Sequence, residues 1–393
     1  MLSFLPVLML MVVFSPLAID IFLPALPQMA DDLQTDLTFL QWSISGFLFA
    51  MGIGQLFAGP LADKYGRKPV AMAGIAIYFV ACLACAVADT IELHLLTRFI
   101  HGLGTCAIVV SAFAIVRDKF DAKESGIIYS YLNGVICCIP ALAPILGGWL
   151  TDEYGWQSNF LFMAAYALGA GVLVATKLKE SHQVDKQHSV SVCNLGRYKS
   201  IITHPVFIFH SLAILVAMAV IIAYVSSAPA WLMVELGLSS QDFVFWFSLN
   251  AIVNITACLT APKCIRRLGV RTTISLGCLC LFVSGVLMAS LWSILTPLAF
   301  MMPIMLSSVG FSLLMGTCSG QALAPFGEKA GTASALLGFL QMSGSAVLVG
   351  LIQQLPISIP VQVAMLMLLF AVFGTVWLLA KDNGGLVFES KAS

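Results

Sequence analysis

Residues 59–69 read Gly59-Pro60-Leu61-Ala62-Asp63-Lys64-Tyr65-Gly66-Arg67-Lys68-Pro69, a short charged turn between two long apolar runs. The run before it ends near Leu61, and the run after it starts at Val70. Gly59 and Gly66 let a backbone turn tightly and take positive φ at little cost. Pro69 suits the first turn of a following helix, where its missing N–H is not needed. Lys64, Arg67 and Lys68 hold such a turn on the cytoplasmic side of a membrane. Asp63 is the residue that an ordinary basic loop does not require. An acid placed here needs an Arg partner or a helix N-terminus.

Working outward, the 393 residues are 60% hydrophobic and only 10% charged. Soluble domains carry about 25% charged residues. No soluble fold buries so much apolar surface, so lipid is expected to solvate most of the chain as an all-α integral membrane protein. Formal net charge is zero, and the message lies in where the charges fall. Met1-Leu2-Ser3 has no basic n-region, and the apolar run after it is too long for a signal peptide. It is expected to be the first span, retained in the mature protein.

A span needs about 20 apolar residues. Twelve stretches qualify: roughly 4–27, 40–61, 70–88, 93–116, 125–149 and 158–176, then 205–229, 243–262, 272–292, 295–318, 331–354 and 361–380. Four regions follow: a six-helix half over 1–176, a polar cytoplasmic linker over 177–204, a second six-helix half over 205–380, and a tail over 381–393. Every Lys and Arg except Arg98 falls in alternate loops or the tail. The other loops carry Asp31, Asp32, Asp36, Asp89, Glu92, Asp152, Glu153, Glu235 and Asp242 instead. The positive-inside rule then expects both termini in the cytoplasm. Arg266-Arg267-Leu268-Gly269-Val270-Arg271, between spans 8 and 9, faintly repeats the 63–68 turn. The glycine and the basic character survive there, but the acid does not.

Of the eleven cysteines, none falls in an external loop, so no disulfide is expected. Cys82-x-x-Cys85 has the spacing of a redox or metal half-site. It lies in an apolar helix with no second ligand pair, so packing is the better reading and no metal is expected. Ionisable residues inside spans are functional candidates by default. Asp20, Arg98 and His101 qualify, whereas His210 is expected at the cytoplasmic interface. Asp20 and Arg98 each lie roughly 10 Å inside the outer rim at 1.5 Å per residue. Pro16, one turn before Asp20, leaves the Val12 carbonyl without its usual donor, a break tolerated only where it faces protein or water. The alternative for Asp20 is a side chain snorkelling to the interface. The neutral polar residues Gln55, Asn133, Asn250, Asn254 and Gln341 either line an apolar substrate pocket or make interhelical hydrogen bonds. There is no phosphate loop, no G-x-S-x-G nucleophile and no basic nucleic-acid patch, so neither an enzyme nor a nucleic-acid partner is expected.

The 59–69 turn resembles the signature loop G-x-L-A-D-x-x-G-R-K between helices 2 and 3 of the major facilitator superfamily. Gly59, Leu61, Ala62, Asp63, Gly66, Arg67 and Lys68 all match. The Asp20-Ile21-Phe22-Leu23-Pro24-Ala25-Leu26-Pro27 run resembles the first-helix motif of bacterial drug/proton antiporters, an Asp followed by P-x-x-P. Arg98 to Gly104 resembles the fourth-helix motif R-x-x-Q-G-x-G, with His101 in place of Gln. A histidine can take up a proton near neutral pH, so His101 either joins a proton path or stays neutral as a hydrogen-bonding group. Ala143-Pro144-Ile145-Leu146-Gly147-Gly148 resembles the antiporter motif G-P-x-x-G-G, with Ala for the first Gly. Its Pro144 would kink the helix, and Gly147 and Gly148 would permit close helix approach.

The resemblance covers the whole chain and points to the Bcr/CflA-type branch of 12-span drug/proton antiporters. It implies two parallel six-helix repeats with a site between them, no cofactor beyond the proton gradient, and a monomer in the bacterial inner membrane. It implies that Asp118 sits beside Arg67, and that Asp63 faces the start of span 11 near 327–334, as a conformational lock. It further implies proton-coupled export of small lipophilic antimicrobials, with chloramphenicol-like compounds first. The alternative is a same-fold transporter of a metabolite such as an amino acid or sugar derivative, whose site should present denser polar groups.

Overall fold

The computed structural model describes residues 5–120, 122–181, 195–380 and 386. The expected positions Cys193, Lys186, Lys381 and Lys391 lie outside them. The regular structure of the described residues is helical, with no strand among them. In chain order the helices are α1 Leu5–Asp20, α2 Leu26–Asp32, α3 Leu37–Tyr65, α4 Arg67–Ala86, α5 Ile91–Lys119, α6 Ala122–Tyr154, α7 Gln157–Lys177 and α8 Leu195–Ile202. They continue as α9 Pro205–Pro229, α10 Ser240–Leu291, α11 Pro297–Leu323, α12 Ala330–Phe339, α13 Ser345–Ile352, α14 Ile359–Leu368 and α15 Phe370–Ala380. Among the described residues, eleven helical stretches are long and apolar enough to cross a membrane.

The expected spans 8 and 9 emerge as one such stretch, Ser240–Leu291, of 52 residues. At 1.5 Å per residue it would run about 78 Å if straight, more than twice a hydrocarbon core of about 30 Å. It is not straight. Gly269 leaves helical space at φ 79, ψ 167 while helical hydrogen bonding continues on both sides. One glycine thus makes a corner that the sequence reading had assigned to a whole loop.

The first turn is also tighter than its composition suggests. α3 runs unbroken through Gly59 and Pro60 to Tyr65, so Gly59 is helical and does not turn the chain. Gly66 alone makes the turn, at φ 99, ψ 155, and α4 starts at the next residue with Pro69 in its first turn. Asp63 therefore sits in the last turn of α3, one helical turn from Arg67.

α1 ends at Asp20, and residues 21–25 form a turn and a short 3₁₀ segment before α2. The helix passes through Pro16 and fails one turn later. Pro24 contributes to the stop, since it has no N–H for the Asp20 carbonyl four residues back and its ring crowds that carbonyl; Pro27 falls in the first turn of α2, where its missing N–H is not needed. Of two π-helical turns, Ala230–Glu235 closes the end of α9 and Leu340–Gly344 interrupts the run from α12 to α13. Such single-turn insertions often mark functional positions.

By contacts the chain divides into two compact units, Met1–Cys193 with Leu232–Ala251, and Asn194–Trp231 with Ile252–Ser393. In the first unit, the opening turns of α10 pack on α6. Ser248 Oγ donates to the Ala141 carbonyl at 3.1 Å, and Gly148 faces Ser240 and Val244. In the second unit, α9 is buried over most of its surface, with Ile208 and Leu212 exposed on one face. His210, expected at the interface, is wholly buried there. Its Nε2 lies 2.9 Å from the Leu386 carbonyl, and its ring packs edge-on to Trp377 at 5.8 Å.

Candidate functional site: a buried cation at a broken helix, and a stitched turn

The first unit holds two polar assemblies. The inner one is built around Arg98 on α5, whose residue is 0% exposed. Its Nη2 donates to the Ala18 carbonyl at 2.9 Å. That carbonyl belongs to the last turn of α1, where the helix has run out of its own donors. A cation at a helix C-terminus also meets the negative end of the helix dipole. Nη1 lies 2.9 Å from His101 Nδ1. A guanidinium only donates, so Nδ1 accepts, and the imidazole is the neutral tautomer with its N–H on Nε2. That Nε2 is 3.5 Å from Cys82 Sγ. The guanidinium carbon lies 4.7 Å from the Phe22 ring centroid and 4.6 Å from that of Phe47, so two aromatic faces share the charge.

Asp20 is buried as well, at 4% exposure. The sequence reading joined Asp20 and Arg98 in one site. They do lie at the same break, but they are not ion-paired. Arg98 engages the carbonyl two residues earlier instead, because the end of α1 presents it with an unmatched acceptor. Gly147 on α6 completes the arrangement. A Cβ there would collide with the Ile21 carbonyl oxygen, and a Cβ on Gly148 would fall 3.8 Å from Pro24. The antiporter-like motif, Pro144 included, thus lies on the helix whose glycines seat directly against the unwound backbone after Asp20. Gly102 on α5 is seated in the same manner against the Phe47 carbonyl, where an added Cβ would have no room, which keeps α3 and its Phe47 close to Arg98. Cys82 and Cys85 engage His101 and Thr97 respectively, the latter at 3.1 Å, consistent with packing rather than a half-site.

The outer assembly is at the Gly66 turn. Arg67 is 3% exposed; its Nη1 pairs with Asp63 Oδ1 at 2.6 Å and its Nε with Asp118 Oδ2 at 2.8 Å. The implied Asp118 neighbour is therefore in place. Asp63 points to Arg67, and of the start of span 11 that it was expected to face, the side chains of 327–330 lie outside the described residues. Sequence reasoning missed Glu180, just beyond the end of α7. Its Oε1 accepts the Arg67 peptide N–H at 3.0 Å, and its Oε2 accepts that of Lys68 at 3.0 Å. No local pattern could have found it, because the partners are 113 residues apart.

Of the remaining polar candidates, Asn254 and Gln341 lie in the second unit. Cys258 Sγ lies 3.5 Å from Asn254 Oδ1 and 3.3 Å from Ser312 Oγ. Gln341, inside the π-helical turn, directs its Nε2 to Met315 Sδ at 3.8 Å. Gln341 thus reaches α11 directly at Met315, and Asn254 is linked to Ser312 of α11 through Cys258. Asn250 is buried and belongs to the first unit; Gln55 is half-buried and Asn133 exposed.

Comparison with known proteins agrees with this architecture. Among relatives, Multidrug resistance protein MdtL of Escherichia coli (strain SMS-3-5 / SECEC) is 33% identical over 341 residues, covering 86% of this chain and 84% of MdtL. MdtL of strain K12 / DH10B matches to the same extent, 33% over 341 residues. Two solved structures share the fold at low identity. The partially occluded inward-open xylose transporter XylE of E. coli superposes with TM-score 0.72 at 13% identity, over 97% of this chain and 98% of XylE. A POT family transporter in complex with 5-aminolevulinic acid gives TM-score 0.78 at 11% identity, over 96% of each chain. The Major Facilitator Superfamily model matches residues 8–349, and the chain belongs to that superfamily of membrane transporters.

Proposed function

We propose that this protein is a proton-coupled multidrug exporter of the bacterial inner membrane, with twelve spans in two six-helix halves, that works by alternating access. The MdtL relatives are named for multidrug resistance. The twelve-span count rests on reading Ser240–Leu291 as two spans joined at Gly269. The distribution of Lys and Arg supports cytoplasmic termini. A monomer suffices for this scheme, with protons, drug and the bilayer as its partners.

The observation that carries the reading is the seat of Gly147 on the Ile21 carbonyl, one residue past Asp20. It ties the one buried acid of the inner assembly to a helix–helix contact that must slide if the protein changes state. Arg98 holds α1 from the other side through Ala18. Asp20 gains and loses the proton, and Arg98 with His101 fixes the geometry in which it does so. Transporters place such sites where broken helices line a cavity near the midplane. The Asp63–Arg67–Asp118 cluster acts as a lock that favours a closed cytoplasmic face. Few polar groups in the second unit suit lipophilic substrates, with chloramphenicol-like compounds first.

The test is reconstitution into liposomes with an imposed proton gradient, using chloramphenicol and a panel of other lipophilic antimicrobials. Drug transport should follow the gradient and stop when an ionophore collapses it. Transport of a panel drug that continues unchanged after collapse would defeat proton coupling. A panel of amino acids and sugars transported in place of the drugs would defeat the substrate assignment.

A further inference from the structure

The Gly66 turn is bound at its backbone as well as through its side chains. Glu180 Oε1 accepts from the peptide N–H groups of Arg67 and of Ser181, at 3.0 and 2.9 Å, and Oε2 accepts from Lys68 N–H at 3.0 Å. One carboxylate therefore meets the first two N–H groups of α4, which have no partner within their own helix. The return contact is made by Lys68, whose Nζ donates to the Ala175 carbonyl at 2.7 Å. Ala175 lies in the last turn of α7, where carbonyls are equally unmatched. Each helix end thus supplies the charge that the other needs, an anion at the N-terminus of α4 and a cation at the C-terminus of α7.

Gly66 is shaped for this contact. Its φ of 99 already disfavours any side chain, and a Cβ there would come 2.7 Å from Glu180 Oε2. With the backbone of Arg67 fixed from one side, its guanidinium reaches Asp63 on α3 and Asp118 on α5 together. The turn therefore joins α3, α4, α5 and α7, and the chain that leaves α7 is tied to it.

We propose that Glu180 is a positioning residue of transport: it holds the Arg67 backbone so that the Asp63–Arg67–Asp118 lock can form, and it couples that lock to the end of α7. The proposal rests on the reading of this cluster as a cytoplasmic lock. Glu180 touches neither drug nor proton path, so its loss should act on turnover and not on drug affinity.

The experiment compares Glu180→Gln, Glu180→Ala and Asp118→Asn in purified full-length protein, by residue-resolved amide hydrogen exchange and by chloramphenicol transport in liposomes. In Glu180→Gln and Glu180→Ala the Arg67 and Lys68 amides should exchange about tenfold faster, the effect of losing a charge-assisted hydrogen bond. Maximal transport should change severalfold with KM unaltered. Asp118→Asn should alter transport while those two amides stay protected. If Asp118→Asn changes transport and Glu180→Gln does not, the Glu180 assignment falls and the lock stands. If neither changes transport, the lock reading itself fails and the assignment with it. Gly66→Ala adds an independent arm, since it should harm transport more in the native background than in Glu180→Ala. Equal harm in both backgrounds would overturn the Gly66–Glu180 coupling. Should Glu180→Ala not reach the membrane, the near-isosteric Glu180→Gln decides alone.

Discussion

The turns at Gly66 and Gly269 have the same backbone and opposite chemistry. Gly66 stands at φ 99, ψ 155, and Gly269 at φ 79, ψ 167, a region open in practice only to glycine. The likeness extends into the next helices. Gly74 follows Gly66 at the spacing at which Gly277 follows Gly269. A Cβ on Gly74 would come 2.7 Å from the Gly104 carbonyl of α5, and one on Gly277 would come 3.2 Å from the Gly310 carbonyl of α11. The two copies therefore share a corner and a glycine-on-glycine helix crossing.

The polar groups are not shared. Around Gly66 stand Asp63, Arg67, Asp118 and Glu180, whereas the second turn carries Arg266, Arg267 and Arg271 with no acid between them. A Cβ on Gly269 would meet open space. Counting from the crossing glycines, Arg98, His101 and Tyr78 correspond to Ile304, Ser307 and Leu281. The lesson is that the repeat preserves how helices turn and cross, while the acids around the turn and the Arg98–His101 pair beside the crossing have no counterpart at the matching positions of the second copy. Under the proposed function, proton coupling and locking fall to the first copy and apolar contact with a substrate to the second.

The sharpest way to break this division is Asp20→Asn. Drug-induced proton release from the detergent-purified protein should be abolished, and export against a gradient with it. Persistent release would move the coupling acid away from the broken helix, with His101 next in line. Arg98→Lys should weaken export without abolishing it, because lysine keeps the charge but loses the planar fork that reaches Ala18 and His101 together.

Next in size is Gly147→Ala. The added methyl has no room against the Ile21 carbonyl, so α6 must move away from α1, at about 1–3 kcal/mol by analogy with overpacked cores. Thermal unfolding in detergent should report the loss. Gly134→Ala in the same helix, where a Cβ meets nothing within 4 Å, should leave the melting temperature unchanged or slightly raised. Equal effects at both positions would show that the Gly147 seat is not special.

The two turns can be compared directly. Gly269→Ala should cost about 1–3 kcal/mol, the strain of an alanine held in a backbone region essentially confined to glycine. Gly66→Ala bears the same strain and must also displace Glu180, so its melting temperature should fall further. Identical shifts would erase the difference drawn above. The smallest effects are expected for Asn254→Ala and Gln341→Ala, which should raise KM severalfold for some lipophilic drugs and leave proton release per drug unchanged. A loss of coupling in either variant would place proton chemistry in the second copy after all.

Much of this molecule is written locally. Hydropathy marks apolar runs because lipid replaces water as the solvent, and that preference depends on composition alone. The Gly66 turn was legible because glycine, proline and charge each have a positional meaning. Arg67 and Asp118 could be paired from the resemblance. The sequence also pointed to Asp20, Arg98 and Gly147 individually, since charges and small residues within spans stand out one at a time. Their partners were not legible. That Arg98 binds the Ala18 carbonyl and not Asp20 depends on where α1 stops and how α5 crosses it. That Glu180 closes the Gly66 turn depends on α7 ending beside α4. Composition and spacing act within a few turns of one helix, whereas a helix crossing is settled only by packing many side chains at once, and it is the crossing that chooses which donor meets which acceptor.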